Sequence, residues 1–252
     1  MRSKTKPERI LGLDLGAETV KVAEIIRAGD ELRRGRTWSA EHCKDPVGTL
    51  SRLLPEVGFD DLAAAAVTGR MAKTVRLEVI PFKVAVAEGV RFAHPELDSV
   101  TVVSIGAHGF SVTDVAENGN TRTRENSRCS QGTGNFLRQL VERLDLDLPE
   151  ADELCEHADA APLSGRCPVI LKTDLTHLAN KGVERGRILA GLYDAVCDNV
   201  RALIRKKDAG SHLKLIGGVS RSARIRRNFS RTAGELGLQF VAGDREEDHF
   251  LE

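Results

Sequence analysis

One cysteine stands just before a glycine-rich turn, and this arrangement is the part of the sequence best suited to chemistry. Cys129 precedes Gly132, Thr133 and Gly134, and apolar residues then recur at helical spacing over residues 136–144. The turn is therefore predicted to start a helix, where free backbone N–H groups and the helix dipole favour a phosphate or a thiolate. Glycines would let the backbone approach such an anion closely. We expect this turn to contact a nucleotide.

A second glycine-rich turn lies near the N-terminus. Apolar alternation breaks at Gly16 and then resumes, which predicts two strands joined by a tight turn that carries Asp14, Gly16 and Thr19. An acid and a glycine at a strand tip could hold phosphate and Mg²⁺. An ordinary hairpin is the alternative, because Asp and Gly are common turn residues.

A third such turn lies near the C-terminus. The apolar run of residues 213–216 predicts a strand, which ends at Gly217 and Gly218. Together the three turns indicate a nucleotide site with a cysteine beside it.

Composition limits the possible classes of protein. The chain has 252 residues, 41% hydrophobic and 29% charged, with 37 basic against 37 acidic side chains. This balance favours neither nucleic acid nor an anionic membrane as a partner. No apolar run approaches the roughly 20 residues of a membrane span, and no signal peptide is expected. Five cysteines without even spacing predict reduced thiols in a cytoplasmic protein rather than a disulfide framework.

Two predicted lobes would position these turns. The strand-glycine-strand pattern of the N-terminus recurs at residues 99–115, with Gly106 at its tip, which indicates an internal duplication. The first lobe is assigned to residues 1–96 and the second to residues 97–252. Helices are predicted over residues 46–54, 85–92, 136–144, 147–158 and 222–236, and a long helix within residues 180–207.

Three motifs together resemble a known family. Leu11-Gly12-Leu13-Asp14-Leu15-Gly16, the stretch Asn126 to Gly134 and Ile216-Gly217-Gly218-Val219 are similar to the ATP-dependent activators of 2-hydroxyacyl-CoA dehydratases. That family includes the ATPase subunits of benzoyl-CoA reductase. Cys167-Pro168-Val169 matches the second cysteine of the family. The resemblance covers nearly the whole chain, and the Cys-x-x-Gly-Thr-Gly element is its most specific part.

The resemblance implies an α/β, two-lobed actin-like (ribonuclease H-like) ATPase fold, here without the closing C-terminal helix. It implies ATP and Mg²⁺ between lobes, and a homodimer that shares one [4Fe–4S] cluster held by Cys129 and Cys167 of each chain. The reduced activator would pass one electron, driven by ATP hydrolysis, to a dehydratase- or reductase-type iron–sulfur enzyme. The expected nucleotide contacts are Asp14, Gly16, Thr19, Lys21, Gly106, Gly132, Thr133, Gly134, Gly217 and Gly218.

The cysteines have a simpler interpretation as well. Free cysteines are most often small buried hydrophobes. The adjacent glycine turn and the presence of Cys167 favour Cys129 as a metal ligand. Cys155 and Cys197 lie on predicted helices and are expected to be structural. No Cys-x-x-Cys or His-x-x-x-His pattern supports a zinc site at Cys155.

The chain departs from the family pattern in its second phosphate turn. Ser104, His108 and Gly109 stand where the family has two carboxylates and a glutamine, so weak hydrolysis or none is predicted while binding is retained. His108 could act as a substitute base. Glu18 in the first turn would repel a triphosphate unless magnesium intervenes. The absence of a closing C-terminal helix predicts that the chain is a fragment of a longer protein or a truncated one.

Three functional hypotheses follow. The first is an ATP-dependent iron–sulfur electron-transfer activator. The second is a nucleotide-binding regulatory domain that does not hydrolyse ATP. The third is a kinase of the same superfamily, which would need a catalytic acid that the turn at residues 104–109 does not offer.

Overall fold

The computed structural model describes residues 6–126, 132–163, 167–206 and 210–243, together with Asp248 and Phe250. These residues form two compact units that divide after Ala85. We call the part up to Ala85 the first unit and the part from Val86 the second unit. The sequence places the lobe boundary later, between residues 96 and 97, and the roles assigned to the two lobes stay predictions.

The first unit is a five-stranded mixed sheet with one long helix. Strands β1 (Glu8–Leu15), β2 (Thr19–Ala28) and β3 (Glu31–Glu41) form an antiparallel meander. Helix α1 (Pro46–Val57) then leads to β4 (Leu62–Thr68), which lies parallel to β1, and a short 3-10 turn leads to β5 (Glu78–Val79). The strand order is β3-β2-β1-β4-β5.

The second unit repeats this order and adds helices. Helix α2 (Phe82–Ala93) spans the division and leads to the meander of β6 (Val100–Ile105), β7 (Phe110–Val115) and β8 (Thr121–Asn126). The sheet is completed by β9 (His212–Ile216), parallel to β6, and by β10 (Gln239–Phe240), in the order β10-β9-β6-β7-β8. The helices are α3 (Gly134–Glu142), α4 (Leu148–Cys155), α5 (Pro168–Asn180), α6 (Arg185–Arg201) and α7 (Ala223–Leu236).

The two sheets therefore share one topology, and the internal duplication predicted from the repeated hairpin is confirmed. Each has a three-stranded meander whose first strand is flanked by a parallel fourth strand. The carboxyl ends of those parallel strands meet at one edge of each sheet, which brings the turns that follow them together.

Each unit has its own hydrophobic core. In the first, buried residues of β1, β2 and α1 pack with the indole of Trp38. In the second, the apolar face of α3 and the long helix α6 cover strands β6, β7 and β9. The predicted apolar spacing of α3 is confirmed, because Leu137, Leu140 and Val141 are all buried.

A buried carboxylate ties the first sheet to its helix. Glu24 on β2 accepts hydrogen bonds from Arg9 Nε at 2.6 Å and from the backbone N–H of Arg36 at 3.1 Å. The Arg9 guanidinium also donates to the carbonyls of Val57 and Gly58, at the end of α1. Burial acts to raise the pKa of Glu24, but these hydrogen bonds and charges hold it below its ordinary value of 4.5.

Strands at the sheet edges differ from the sequence prediction. The edge strands β3 and β8 were not predicted, because they are mostly polar and exposed and so lack apolar alternation. The long helix expected within residues 180–207 is confirmed as α6, which spans Arg185–Arg201 and is separated by Gly182 (φ +75°) from α5, which ends at Asn180. Among the described residues, no helix is long and apolar enough to cross a membrane.

Candidate functional site

The first turn carries a buried ion pair at its base. Asp14, next to last in β1, lies opposite Lys21 of β2, and Lys21 Nζ is 2.7 Å from Asp14 Oδ2. Both side chains are more than nine-tenths buried. The turn itself is closed by the Gly16 N–H, which donates to the Thr19 carbonyl at 3.0 Å. Asp14, Gly16, Thr19 and Lys21, all predicted as site residues, therefore lie together at one strand tip.

The end of β4 closes on the same carboxylate. Thr68 is the register partner of Asp14 across the parallel pair, and Gly69 follows it with φ +96°. A Cβ at Gly69 would come within 2.2 Å of Asp14 Oδ1 and 2.6 Å of the Leu15 carbonyl. Only glycine fits this place, both for its backbone conformation and for the close approach of the acid.

A buried histidine, His42, is hydrogen-bonded to the backbone of the first turn. The Lys44 backbone N–H donates to His42 Nδ1 at 3.1 Å, so the ring proton is on Nε2, which donates to the Gly16 carbonyl at 3.3 Å. The His42 N–H also donates to the carbonyl of Glu18. The carboxylate of Glu18, expected to repel a triphosphate, is paired with Lys44 Nζ at 2.5 Å. This pairing offsets its charge.

In the second unit, the turn between β6 and β7 contacts the start of α3. The Gly106 N–H closes this turn onto the Gly109 carbonyl, as Gly16 does in the first turn. The Gly134 N–H then donates to the Gly106 carbonyl and the Asn135 N–H to the Ala107 carbonyl, each at 2.9 Å. The predicted turn at Gly132–Gly134 therefore lies against the repeated hairpin turn at Gly106.

These contacts correct one prediction about α3. The free N–H groups expected at its start are engaged, because Gly134 and Asn135 donate to the neighbouring turn and Phe136 N–H donates to Thr133 Oγ1 at 3.3 Å. A sequence shows that a helix begins, but not which carbonyls lie against its first turn. An anion at Gly134 would need to displace these bonds.

The glycines of this region also serve close packing. A Cβ at Gly132, whose φ is +93°, would lie 2.6 Å from the ring of Phe110. A Cβ at Gly134 would lie 3.0 Å from Val219 Cγ2, in the turn that follows β9. The second unit thus joins the turns at Gly106, Gly134 and Val219, which the sequence treats as separate motifs.

The third turn is held by a buried acid. Gly217 has φ +89°, and its N–H donates to the Asp248 carbonyl at 3.3 Å, while Gly218 begins a short 3-10 turn. The Asp248 carboxylate lies 2.6 Å from Lys214 Nζ of β9 and 2.8 Å from the guanidinium of Arg226 on α7. Asp248 and Lys214 are almost fully buried, so their ion pair anchors the third predicted glycine turn to the sheet.

The cysteines separate into two groups. Cys155 and Cys197 are buried in the second core, as predicted, and burial raises the pKa of the Cys155 thiol to about 12. Cys167 is exposed at the N-cap of α5 and makes no capping hydrogen bond through its side chain. Next to it Val169 is 70% exposed. Cys129, the other predicted ligand, lies outside the described residues.

No metal site is complete within the described part of the chain. There, no group of three or more His, Cys, Asp or Glu side chains is placed to hold an ion. Cys167 fits a cluster that needs further thiolates from elsewhere, because its sulfur is accessible and lies at the positive end of a helix.

The duplicated topology shows how far the two phosphate turns have diverged. Asp14 of β1 pairs with Lys21 and Thr68, whereas Ser104 of β6 pairs with Ser111 and Ile216. Both Asp14 and Ser104 stand two residues before the glycine that closes the turn. The carboxylate and ammonium of the first turn therefore have hydroxyl counterparts in the second.

Two units of this topology, each with a glycine-closed turn at the end of its first strand, define an actin-like α/β ATPase fold. The chain belongs to the BadF/BadG/BcrA/BcrD ATPase family, whose model matches residues 11–236. It is 24% identical over 241 residues to the 2-hydroxyisocaproyl-CoA dehydratase activator of Clostridioides difficile, covering 93% of this chain and 88% of that protein. It is 25% identical over 244 residues to one of the subunits of benzoyl-CoA reductase from Thauera aromatica, covering 92% and 85%.

Solved structures show the same fold. The activator of the 2-hydroxyisocaproyl-CoA dehydratase from Clostridium difficile with bound ADPNP aligns with a TM-score of 0.80, at 22% identity, over 98% of this chain and 93% of that one. Component A of the Acidaminococcus fermentans (R)-2-hydroxyglutaryl-CoA dehydratase aligns with a TM-score of 0.81, at 21% identity, over 97% and 95%. The predicted family and fold class are confirmed.

Sequence reasoning missed three residues that shape these turns. His42 and Asp248 stand far along the chain from the turns that they support, and only their polarity could have indicated them. Thr68 is the last residue of the alanine-rich strand β4. Its signal is the Thr-Gly pair in which the strand ends, which resembles the strand-to-glycine step at Ile216-Gly217.

Proposed function

We propose that this chain is an ATP-binding activator that passes one electron to an iron–sulfur enzyme of the dehydratase or reductase type. Within this ATPase family, the observation that carries the proposal is the exposed thiol of Cys167 at the start of α5. An inert structural cysteine would be buried, as Cys155 and Cys197 are. Relatives described as a dehydratase activator and as a benzoyl-CoA reductase subunit support the class of partner.

The thiols of this chain would hold the electron carrier. A [4Fe–4S] cluster is held by four thiolates and, when bound, supplies one-electron transfer. Cys129 and Cys167 provide two thiolates per chain, so two copies related by a twofold axis would provide four. Val169 and Ile170, both exposed next to Cys167, are suited to burial between two such copies. A low-potential donor of one electron would restore the reduced state after each transfer.

The turns would hold the nucleotide. Lys21 and Asp14 would face the phosphates and Mg²⁺ from the first unit, and Gly217 and Gly218 would contact the adenosine from the second. Gly106, Gly132, Thr133 and Gly134 would form the wall beside the phosphates. In this proposal Gly132 and Gly134 act by permitting close packing, because the N–H of Gly134 is already engaged.

Iron analysis after anaerobic purification tests the electron-transfer part. The expected result is about four irons and four sulfides per dimer. Cys167→Ser should lose them, while Cys43→Ser, which removes the exposed cysteine of the first unit, should retain them. A colourless protein after reconstitution, or iron retained by Cys167→Ser, would refute the assigned ligand.

A second candidate is a nucleotide-binding domain that regulates without hydrolysis. It is favoured by Ser104, which occupies in the second turn the place that Asp14 occupies in the first. Without a carboxylate there, the water-positioning acid of an actin-like site is missing. Tight Mg-ATP binding with no release of phosphate above the buffer rate would favour this candidate, and steady turnover would favour the activator.

A further inference from the structure

Three side chains form a row across the first sheet. Lys21 on β2, Asp14 on β1 and Thr68 on β4 are register partners in neighbouring strands. Register partners share a face of the sheet because the pleats of adjacent strands are in phase, so the three side chains lie on one side. Lys21 and Asp14 pair at 2.7 Å, and the second carboxylate oxygen of Asp14 lies over Gly69, next to Thr68.

The hydroxyl of Thr68 is buried without a hydrogen-bond partner among the described residues. Thr68 is 5% exposed, and its Oγ1 makes no hydrogen bond to any group in the part of the chain that the structure describes. Removing a hydroxyl from water without replacing its hydrogen bond costs free energy, so such groups are rare and call for an explanation. One explanation is that the hydroxyl binds an oxygen atom of a ligand, since it lies beside the acid and the lysine of the first turn.

The second unit shows that the fold does not need a hydroxyl here. In the second unit, Ser104 corresponds to Asp14 and Ile216 corresponds to Thr68. Ile216 is fully buried and apolar. The two units share strand order, turn closure and a left-handed glycine directly after this position, at Gly69 and Gly217. A polar side chain appears in this position only in the unit whose row also holds a carboxylate and an ammonium.

We propose that the Thr68 hydroxyl donates a hydrogen bond to a phosphate oxygen of the bound nucleotide, which makes Thr68 a further binding residue of the first turn. The inference rests on the proposed binding of ATP and deepens it. A hydroxyl can donate to an anionic oxygen without adding charge, which suits a row whose Lys21 and Asp14 already balance each other. Its burial without a partner is then the cost of a site that is complete only when nucleotide is present.

Thr68→Val tests this, because it keeps the branched shape and removes only the hydroxyl. The free protein should unfold at the same urea concentration as the wild type or at a higher one, since an unsatisfied group has been removed. Binding of ATP in the presence of Mg²⁺, measured by titration calorimetry, should weaken about tenfold or more, because a hydrogen bond to a charged group is lost. Thr68→Ser, which restores the hydroxyl, should bind within a few-fold of the wild type.

Thr49→Val is the matched control in the same unit. Thr49 is equally buried, but its Oγ1 accepts a hydrogen bond from Arg52 at 2.6 Å. This variant should unfold at lower urea and bind ATP unchanged, the reverse of the pattern expected for Thr68→Val.

The outcomes separate the inference from the proposed function. Wild-type binding of ATP with equal binding by Thr68→Val would overturn the inference alone. Loss of stability in the free Thr68→Val protein would also overturn it, because the hydroxyl would then have a partner without nucleotide. Absence of ATP binding by the wild type would overturn the proposed function and this inference with it.

Discussion

Replacement of Lys21 by methionine would remove the ammonium group that lies against the buried carboxylate of Asp14. The two side chains are 7% and 6% exposed and their charged atoms are 2.7 Å apart, so the pair is shielded from water. Removing one partner of a buried pair typically costs about 3–5 kcal/mol, because the remaining charge is uncompensated. Whole domains are stable by only about 5–15 kcal/mol, so Lys21→Met should remove a large share of the stability of the first unit.

The fluorescence of Trp38 can measure the stability of the first unit. The chain has a single tryptophan, which lies on β3 opposite Val22, one residue from Lys21, so its emission during urea unfolding reports on the first unit. Lys44→Met is the control, since Lys44 pairs with Glu18 at 2.5 Å but is 70% exposed, and loss of such a pair should cost less than about 1 kcal/mol.

The double variant Asp14→Asn/Lys21→Met tests whether an uncompensated buried charge causes the loss of stability. Removing both charges should recover most of the stability lost by Lys21→Met alone, because neither charge of the pair is left buried. Two results would show that burial of the pair does not govern the stability of this turn. One is an equal loss of unfolding free energy in Lys21→Met and Lys44→Met. The other is a double variant that loses as much unfolding free energy as Asp14→Asn and Lys21→Met lose together when measured singly.

Three further predictions concern the thiols, the acid range and the helix caps. In the protein without bound iron, iodoacetamide should label Cys167 and leave Cys155 unmodified, because burial shields the Cys155 thiol and raises its pKa to about 12. Peptide mass spectrometry would detect the contrary case, early labelling of Cys155. Burial tends to raise the pKa of Glu24, but hydrogen bonds and nearby arginine charges hold it below 4.5, so its carboxylate contributes stability above that pH and loses it as the pH falls through the folded-state pKa. The difference in urea midpoint between wild type and Glu24→Gln should therefore be largest near neutral pH and should shrink as the pH falls. A difference that grows in acid would contradict this. Asp152 accepts the backbone N–H of Ala223 at 2.9 Å across from α4, so Asp152→Ala should cost about 1–2 kcal/mol and speed amide exchange in the first turn of α7; unchanged exchange there would show that the cap is unimportant.

Local patterns were sufficient for much of the fold. The hairpin at Gly16, its repeat at Gly106 and the amphipathic spacing of α3 all follow from periods of 2 and 3.6 residues with glycine at the breaks. Burial of Cys155 and Cys197 was also predicted, because both lie on helices that the sequence indicates.

The polar edge strands and the helix ends were harder to predict. Strand β3 is held by its ladder to β2 rather than by apolar alternation. A Cβ at position 35 in β3 would lie 2.4 Å from the carboxylate of Glu24, so a larger residue there would displace that side chain. Helix ends were predicted only approximately, since the helix expected over residues 136–144 ends at Glu142 and the one expected over residues 147–158 ends at Cys155.

The sequence by itself determined that three turns combine glycine with strand or helix ends, and that one carries an acid and a lysine. It also determined the membership of the chain in an ATPase family, because those motifs occur in order and at suitable spacing. Periodicity and turn chemistry are local properties, so they can be read along the chain.

Only the tertiary structure decided which groups within each unit are engaged and which are not. The N–H of Gly134 donates to Gly106, and the N–H of Gly217 donates to Asp248, whereas the hydroxyl of Thr68 is buried beside Asp14 without a described partner. These facts depend on strands and segments brought together from distant parts of the chain. Hydrogen bonding and burial are set by such neighbours, and local sequence does not specify them.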